Sequence, residues 1–342
     1  MSTPPLVVVG GSAGGLDAAT RLVGALDAEF PAAVVVVLHQ APGADDYIAR
    51  RLRQSTVLVV EMAEDGGPLE PGHVYVAPAD RHLRFDEGTL RVAFGPRVNR
   101  VRPAIDVALR SAAAEHGARA VGVILSGLLD DGAAGLDALH RSGGRTLVQD
   151  PDDAEHGDMP ANALRYVEPD AVASAEALAE RLDAVVRALP DDAGRAPDDV
   201  RTEARIDALA TGDIDMTQDI GDQVPVSCSD CGGPVWEIHQ PGPTRYRCHV
   251  GHAFSQQSML RSQEETVEES LWVALRTLEE RARMLDRLSG ASRSGVATSY
   301  RDQADETRVH AGRIRDLLAA RHEIEAAPAL LREGTAAPTA RA

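Results

Sequence analysis

The 342-residue chain carries 35 Lys and Arg residues against 53 Asp and Glu residues, a formal net charge of −18. Nucleic-acid binding requires clustered cationic side chains to meet the phosphates, so this charge argues against a nucleic-acid role. No apolar run approaches the roughly 18 residues of a membrane span, and no basic N-terminal segment precedes a long apolar one. We therefore expect a cytoplasmic protein without direct membrane insertion.

A glycine-rich turn follows the first predicted strand, residues 6–9, and precedes a helix-like segment. Its sequence is Gly10-Gly11-Ser12-Ala13-Gly14-Gly15. A Gly-x-Ser-x-Gly pattern between strand and helix is typical of a turn that exposes a serine nucleophile. The alternative is a phosphate cradle, but a dinucleotide site would have its second glycine where Ser12 or Ala13 stands. It would also place an acidic residue after the second strand, where this chain has His39.

Short β-branched runs alternate with alanine- and leucine-rich helical segments from residue 6 to about residue 188. Several runs are apolar throughout, as in parallel strands that are covered on both faces. The alternation predicts an α/β domain over residues 1–189 with a doubly wound, mostly parallel sheet, and an antiparallel hairpin between Arg81 and Val92 at one end of the sheet. The predicted strands are residues 6–9, 33–38, 57–60, 74–77, 121–125, 145–149 and 171–173, and the predicted helices include 45–53, 103–116, 133–142, 160–166 and 175–188.

Three polar residues follow predicted parallel strands: Ser12 the first, His39 the second, and Asp131 the strand at residues 121–125. Since the carboxyl ends of parallel strands share one edge of a sheet, we expect these residues to converge. An imidazole, with an ordinary pKa of about 6.5, is suited to take the proton of a serine, and a buried carboxylate would orient it. Each residue alone has a structural interpretation, as a turn residue, a core histidine or a helix N-cap. Their expected convergence at one edge of the sheet favours the catalytic interpretation over the structural ones.

The C-terminal part begins with an acidic segment and ends with two helical segments. Residues 190–225 contain ten acidic and three basic residues, which predicts an acidic linker. Apolar residues spaced by three, four or seven over residues 256–325 predict a helical hairpin or coiled coil with a break near Gly290. Homo-oligomerisation through these helices is one expectation, and a simple packing element is the alternative. We expect residues 326–342 to form a flexible tail.

All three cysteines lie between residues 228 and 248, which favours metal binding over a disulfide framework. A Cys-x-x-Cys pair is followed by a third cysteine and two histidines, and three thiolates with one imidazole complete a tetrahedral structural zinc site. We prefer His252 to His249 as the fourth ligand because Gly251 lets the chain turn back toward the metal. Residues 226–255 thus predict a zinc-ribbon-like module. The predicted ligands are Cys228, Cys231, Cys248 and His252.

The chain from residue 5 to about 188 resembles the catalytic domain of the chemotaxis protein-glutamate methylesterases, the CheB type. The resemblance implies that Ser12 is the nucleophile, His39 the base and Asp131 the acid, with Asp130 as the residue most easily confused with it. It rests on the turn around Ser12 and on further motifs in the same order: LHQAPG at 38–43, VAPADRHL at 76–83, RPAID at 102–106, SGLLDDGAAG at 126–135, and QD at 149–150 followed by MP at 159–160.

The resemblance also implies an activity, the hydrolysis of glutamate γ-methyl esters on proteins, with glutamine deamidation as a related reaction and no cofactor for catalysis. The main-chain N–H groups at Ala13 and near Leu128 are the candidate oxyanion donors. Family members often have Thr and Met at these two positions, which leaves the substrate open. The expected partner is a methylated receptor or another signalling protein.

Two further expectations concern regulation and an alternative function. Chemotaxis methylesterases usually carry an N-terminal receiver domain, whereas this chain begins at the catalytic strand, so we expect no control by an aspartyl phosphate in cis. The alternative to an enzyme is a catalytically silent signalling or scaffold protein that uses the same fold to bind a partner.

Overall fold

A computed structural model describes residues 4–44, 46–209, 211–239 and 241–326 of the chain, with side chains described as far as residue 320. The chain divides into two compact units at Leu260. No helix among the described residues is long and apolar enough to cross a membrane. The predicted tail, apart from Ala326, lies outside the described residues.

The strands and helices alternate through the first half of the chain. The strands are β1 (Leu6–Gly11), β2 (Ala33–Leu38), β3 (Val59–Met62), β4 (His73–Val76), β5 (His82–Asp86), β6 (Thr89–Ala93), β7 (Ala120–Ile124), β8 (Arg145–Gln149), β9 (Ala171–Ala173), β10 (Gly221–Ser227), β11 (Pro234–Ile238), β12 (Arg245–Cys248) and β13 (Ala253–Ser255). The helices are α1 (Gly15–Gly24), α2 (Tyr47–Arg53), α3 (Ile105–His116), α4 (Ala133–Arg141), α5 (Asp158–Ala163), α6 (Ala175–Arg187), α7 (Asp198–Ala208), α8 (Ile214–Gln218), α9 (Gln256–Ala291) and α10 (Ser294–Ala326).

The central sheet of the first unit has seven parallel strands in the order β3-β4-β2-β1-β7-β8-β9. Its central strands are apolar on both faces, and each face has its own buried core. Helices α3, α4 and α5 cover one face, and α1, α2 and α6 cover the other. The predicted doubly wound sheet is confirmed, and the ends of the predicted strands differ from the observed ends by at most two residues.

The hairpin of β5 and β6 forms a separate two-stranded sheet, which corrects the expectation of an excursion at one end of the central sheet. It packs on α3 instead. The main-chain N–H of Phe85 donates to Ser111 Oγ at 2.9 Å, and Leu83, Phe85 and Leu90 join the core beneath it. Burial of these apolar side chains on the helix explains the position of the hairpin.

The structure also corrects the expectation of a linker over residues 190–225, because this segment contains α7, α8 and the start of β10. Val200 of α7 belongs to the main core, and Glu203 is only 2 % exposed. Acidic residues usually indicate a solvated segment. Here the buried carboxylates of α7 meet arginines that are distant in sequence, which no local pattern shows.

These arginines and carboxylates form a buried ion cluster that joins α3, α7 and β12. The Nε of Arg110 lies 2.7 Å from Asp207 Oδ2, and the Nη2 of Arg247 lies 2.6 Å from Asp207 Oδ1. The Nη2 of Arg245 lies 2.7 Å from Glu203 Oε2. Burial alone would raise the pKa of both carboxyl groups, but the guanidinium groups outweigh it and hold each pKa below its ordinary value. The cluster therefore fixes the cysteine-containing sheet to the α/β domain.

That cysteine-containing sheet consists of four antiparallel strands in the order β10-β11-β12-β13. Val235 and Phe254 are buried in a small core beside Cys228 and Cys248. We call residues 221–255 the ribbon. It belongs to the same compact unit as the α/β domain.

The second unit is an antiparallel helical hairpin of α9 and α10, as the apolar spacing predicts. Leu275, Ala311 and Leu318 are buried between the two helices. An ion pair of 2.7 Å joins Arg315 to Glu279 across the hairpin. Homo-oligomerisation through these helices stays a prediction.

We predict that Glu203→Gln lowers the free energy of unfolding of the first unit by about 3–5 kcal/mol, because it leaves buried guanidinium charge uncompensated. Since the pKa of Glu203 is lowered, its contribution is complete above the ordinary carboxyl pKa of about 4 and is lost as the pH falls through the lowered pKa. Urea denaturation of both proteins at neutral and acidic pH measures this difference, which shrinks in acid.

The control for this measurement is Asp198→Asn, which removes an exposed partner of Arg201. An exposed ion pair contributes at most about 1 kcal/mol, so this variant stays close to the wild type. Equal effects of the two substitutions would contradict the importance of the buried cluster.

Candidate active site

The central sheet has a topological switch point between β1 and β7. The chain crosses from β1 to its neighbour β2 on one side and from β7 to its neighbour β8 on the other. In open α/β sheets, ligands bind outside the carboxyl ends of the strands at such a point. Ser12 directly follows β1, His39 directly follows β2, and Asp131 lies in the loop after β7. The topology therefore brings the three predicted residues to one edge of the sheet.

A continuous line of hydrogen bonds joins these three side chains. The Oγ of Ser12 lies 3.1 Å from His39 Nδ1, and His39 Nε2 lies 2.7 Å from Asp131 Oδ2. An ionised carboxylate can only accept, so Nε2 carries the proton and donates it to Asp131. The lone pair of Nδ1 then accepts a hydrogen bond from the Ser12 hydroxyl. This arrangement is the one that a base-activated serine requires.

The turn after β1 holds Ser12 in place through the main chain. The N–H of Ser12 donates to the carbonyl of Ser126 at 2.9 Å, and the N–H of Gly15 donates to the carbonyl of Ser12 at 2.9 Å. Gly14 has a φ of 71°, in the left-handed region that favours glycine. The last glycine of the Gly-x-Ser-x-Gly pattern thus allows the sharp entry into α1.

Asp131 is only 3 % exposed, and its carboxylate accepts hydrogen bonds from several elements. Besides His39, the donors are the main-chain N–H of Ile105 at 2.7 Å, that of Asp106 at 3.2 Å, and Asn99 Nδ2 at 2.9 Å. Burial by itself would raise the pKa of Asp131, but the hydrogen bond and charge of His39, together with the other donors, hold it below its ordinary value. Asp131 is therefore suited to remain a carboxylate.

A second buried carboxyl group, that of Asp106, lies beside Asp131. Asn99 Nδ2 donates to Asp106 Oδ2 at 2.9 Å, so one amide bridges the two acids. The main-chain N–H groups of Gly132 and Gly135 donate to Asp106 Oδ1. Burial and the negative charge of Asp131 raise the pKa of Asp106 to about 7. This difference in pKa lets two acids share one buried site.

The sequence assigned no role to Asn99 or Asp106. The sequence did contain a signal for Asp106, because this residue ends the RPAID motif at residues 102–106. The sequence contained no such signal for Asn99. Its contacts depend on a left-handed backbone with φ of 51° and on residues that are distant in the chain.

Asp130 and Asp131 have different surroundings, which bears on the ambiguity between them. Asp130 Oδ1 accepts a hydrogen bond from Ser255 Oγ of β13 at 2.7 Å. Asp131 contacts His39. The geometry therefore favours Asp131 as the partner of the imidazole.

The predicted oxyanion donors lie in the two loops that flank the serine. Within the described residues, neither the main-chain N–H of Ala13 nor that of Leu128 donates a hydrogen bond to another group of the protein. Ala13 adjoins the serine, and Leu128 is 44 % exposed. Both N–H groups stay candidate donors to a bound oxyanion.

The ribbon gathers the four predicted metal ligands into one cluster. The ligand atoms of Cys228, Cys231, Cys248 and His252 all lie within 4.8 Å of one another. Cys231 Sγ and Cys248 Sγ are 3.7 Å apart, and His252 Nδ1 lies 3.8 Å from Cys228 Sγ and 3.5 Å from Cys248 Sγ. Tetrahedral zinc with bonds of about 2.3 Å to sulfur and about 2.0 Å to nitrogen separates its ligands by about 3.5–3.8 Å. The donor set and its spacing therefore fit a zinc ion.

The fourth member of the cluster is His252, as Gly251 suggested. Gly251 has a φ of 104°, which turns the chain back toward Cys248. The ring of His249 instead lies against Gly233, where an added Cβ would be 2.0 Å from the ring. Asp230 Oδ2 lies 4.0 Å from His252 Nε2, on the side of the ring away from the sulfurs.

The fold and the side chains at its switch point together define a class of protein, a doubly wound α/β domain whose parallel strands end in a Ser-His-Asp arrangement. Within that class the chain belongs to the CheB methylesterase family, whose sequence model matches residues 7–182.

Several known proteins are similar to this chain. A protein-glutamate methylesterase/protein-glutamine glutaminase of Yersinia pestis bv. Antiqua (strain Antiqua) is 40% identical over 168 residues, which cover 48% of each chain. A second protein of that name, numbered 2, from Xanthomonas oryzae pv. oryzae (strain MAFF 311018) is 40% identical over 185 residues, which cover 53% of this chain and 51% of that protein. This chain thus spans about half the length of the curated relatives it matches.

A solved structure is also similar to part of this chain. The crystal structure of the Thermotoga maritima CheB methylesterase catalytic domain is 33% identical, with a TM-score of 0.52. The match covers 53% of this chain and 98% of that one. The likeness therefore concerns one half of the chain.

Proposed function

We propose that this chain is a serine hydrolase that removes methyl groups from glutamate γ-methyl esters on proteins. The observation that carries the proposal is the hydrogen-bonded line from Ser12 through His39 to Asp131, in a chain of the CheB methylesterase family. The names of the relatives, protein-glutamate methylesterase/protein-glutamine glutaminase, support the substrate class.

The first half of the reaction forms an acyl-enzyme. Ser12 Oγ attacks the ester carbonyl while its proton passes to His39 Nδ1, and Asp131 stabilises the resulting imidazolium through Nε2–H. The N–H groups of Ala13 and Leu128 stabilise the negative charge on the carbonyl oxygen. The proton on His39 Nδ1 then passes to the methoxy oxygen, and methanol leaves.

The second half of the reaction releases the product. Water gives a proton to His39 Nδ1 and attacks the acyl carbonyl, and the proton returns to Ser12 Oγ as the ester bond breaks. The product is an unmodified glutamate side chain. A glutamine side chain would enter the same sequence, with ammonia as the leaving group instead of methanol.

The expected substrate protein is a methylated receptor or another protein of a chemotaxis-like signalling pathway in the cytoplasm. The family supports this expectation, since its members are named for acting on protein glutamate residues.

We expect Ser12→Ala and Asp131→Asn each to lower kcat on the order of 10⁴-fold or more, because one removes the nucleophile and the other reverses the tautomer of His39. Methanol release from a synthetic peptide with a glutamate γ-methyl ester measures the rate.

Asp130→Asn is the matched control for Asp131→Asn, since it makes the same chemical change at the neighbouring residue, which does not contact His39. It retains most of the rate. A large loss in Asp130→Asn together with a small one in Asp131→Asn would overturn the assignment of the acid. Full turnover by Ser12→Ala would overturn the assignment of the nucleophile, and a folded wild-type protein that releases no methanol would favour a silent scaffold.

We also propose that the ribbon binds one structural zinc ion through Cys228, Cys231, Cys248 and His252. The spacing of the four ligand atoms supports a closed tetrahedral shell with no position for substrate. When bound, zinc supplies folding energy to the ribbon rather than chemistry to the reaction. The residues of the α/β domain carry out the hydrolysis.

We predict one zinc ion per chain in the purified protein and its loss on Cys231→Ser, because a thiolate ligand is removed. Elemental analysis measures the metal, and His249→Ala serves as the control because His249 lies outside the cluster. A folded ribbon without metal, or loss of zinc in the control, would contradict the ligand set.

A further inference from the structure

The loop between β6 and α3 is joined to the ribbon at Asn99. The main-chain N–H of Asn99 donates to the carbonyl of Ala253 at 2.8 Å, and the N–H of Ala253 donates to the carbonyl of Arg97 at 3.2 Å. Residues 97–99 therefore run beside β13 like a short additional strand. Asn99 is 7 % exposed, so it is closed off from substrate.

The side chain of Asn99 connects β13 to the buried acids. Its Oδ1 accepts hydrogen bonds from the main-chain N–H of Ser255 at 2.7 Å and from Ser258 Oγ at 3.2 Å. A main-chain N–H can only donate, so the amide must present its oxygen to Ser255 and its nitrogen to the acids. Each proton of Nδ2 then has one acceptor, Asp131 Oδ1 or Asp106 Oδ2, at 2.9 Å.

The strand that holds Asn99 is built next to the metal cluster. β13 begins at Ala253, directly after His252, and pairs with β12, which ends at Cys248. Two of the four ligands of the cluster therefore set the position of β13. Ser255 Oγ adds a second contact to the loop after β7, at Asp130.

We propose that Asn99 is a positioning residue for Asp131, and that Ser255 of the ribbon and Ser258 of the first turn of α9 hold Asn99 in place, so that the ribbon forms part of the hydrolytic site. The proposal rests on the proposed hydrolase function. In physical terms, the side-chain N–H of Asn99, on Nδ2, fixes the rotation of the Asp131 carboxylate and keeps Oδ2 directed at His39 Nε2. Without that donor, Asp131 Oδ1 keeps only the longer hydrogen bond from the main-chain N–H of Asp106, at 3.2 Å, and His39 is less often aligned with Ser12.

Asn99→Asp separates this role from a merely structural one. Aspartate has the same size, tolerates a positive φ, and keeps an oxygen for Ser255 and Ser258, but it has no N–H for Asp131. In the full zinc-loaded chain, with the γ-methyl ester peptide as substrate, we expect kcat to fall about 10–100-fold with little change in KM, as for other residues that orient catalytic groups. A role confined to attaching the ribbon predicts an unchanged kcat.

Two further variants distinguish a loss of positioning from a general loss of stability. Leu182→Ala leaves a cavity in the core on the opposite face of the central sheet, so it lowers stability without touching the ribbon or Asn99 and keeps the wild-type kcat while folded. Ser258→Ala removes one donor to Asn99 Oδ1 and introduces no charge, so it tests how Asn99 is held in place if Asn99→Asp fails to fold. It lowers kcat, though less than Asn99→Asp.

The downfield proton resonance of His39 Nε2–H provides a readout that does not depend on turnover. We expect it to shift in Asn99→Asp and Ser258→Ala and to stay in place in Leu182→Ala. Wild-type kcat and an unmoved resonance in the folded Asn99 and Ser258 variants would overturn the proposal. If the wild type releases no methanol, the proposed function fails, and the resonance still decides whether Asn99 positions Asp131.

Discussion

A carboxylate removed from water needs hydrogen bonds from the protein, and the arrangement of the site follows from how Asp131 obtains them. Its donors are His39, Asn99 and the main-chain N–H groups of Ile105 and Asp106. They come from the loop after β2, the loop before α3 and the first turn of α3. Asp131 can remain charged beside His39 only while these elements stay together.

The buried ion cluster also holds together elements on which the donors of Asp131 depend. Arg110 of α3 and Arg247 of β12 share the carboxylate of Asp207 on α7. The helix that provides donors to Asp131 is thereby fixed to the sheet that contains the metal cluster. The acidic segment, expected to be a linker, is the element that joins the two. We therefore regard the ribbon and the α/β domain as one structure with a common site.

The sequence predicts the sheet and the Ser-His-Asp arrangement well, because both follow from local patterns. Apolar runs mark the buried strands, and parallel strands end at one edge, where Ser12, His39 and Asp131 meet. The roles of Asn99, Ser255 and the α7 carboxylates escape prediction because they arise from contacts between residues that are 32 to 156 positions apart in the chain. The local sequence around a polar residue does not show that its partner is buried and distant in the chain.

Covalent labelling shows whether Ser12 is a nucleophile that His39 activates. The folded protein is treated with a serine-directed fluorophosphonate at pH 8, and the modified residue is located by peptide mass spectrometry. We expect one adduct per chain, on Ser12, and its loss in His39→Ala. An absence of adduct on the folded wild-type protein, or an adduct on another serine, would contradict this role of Ser12.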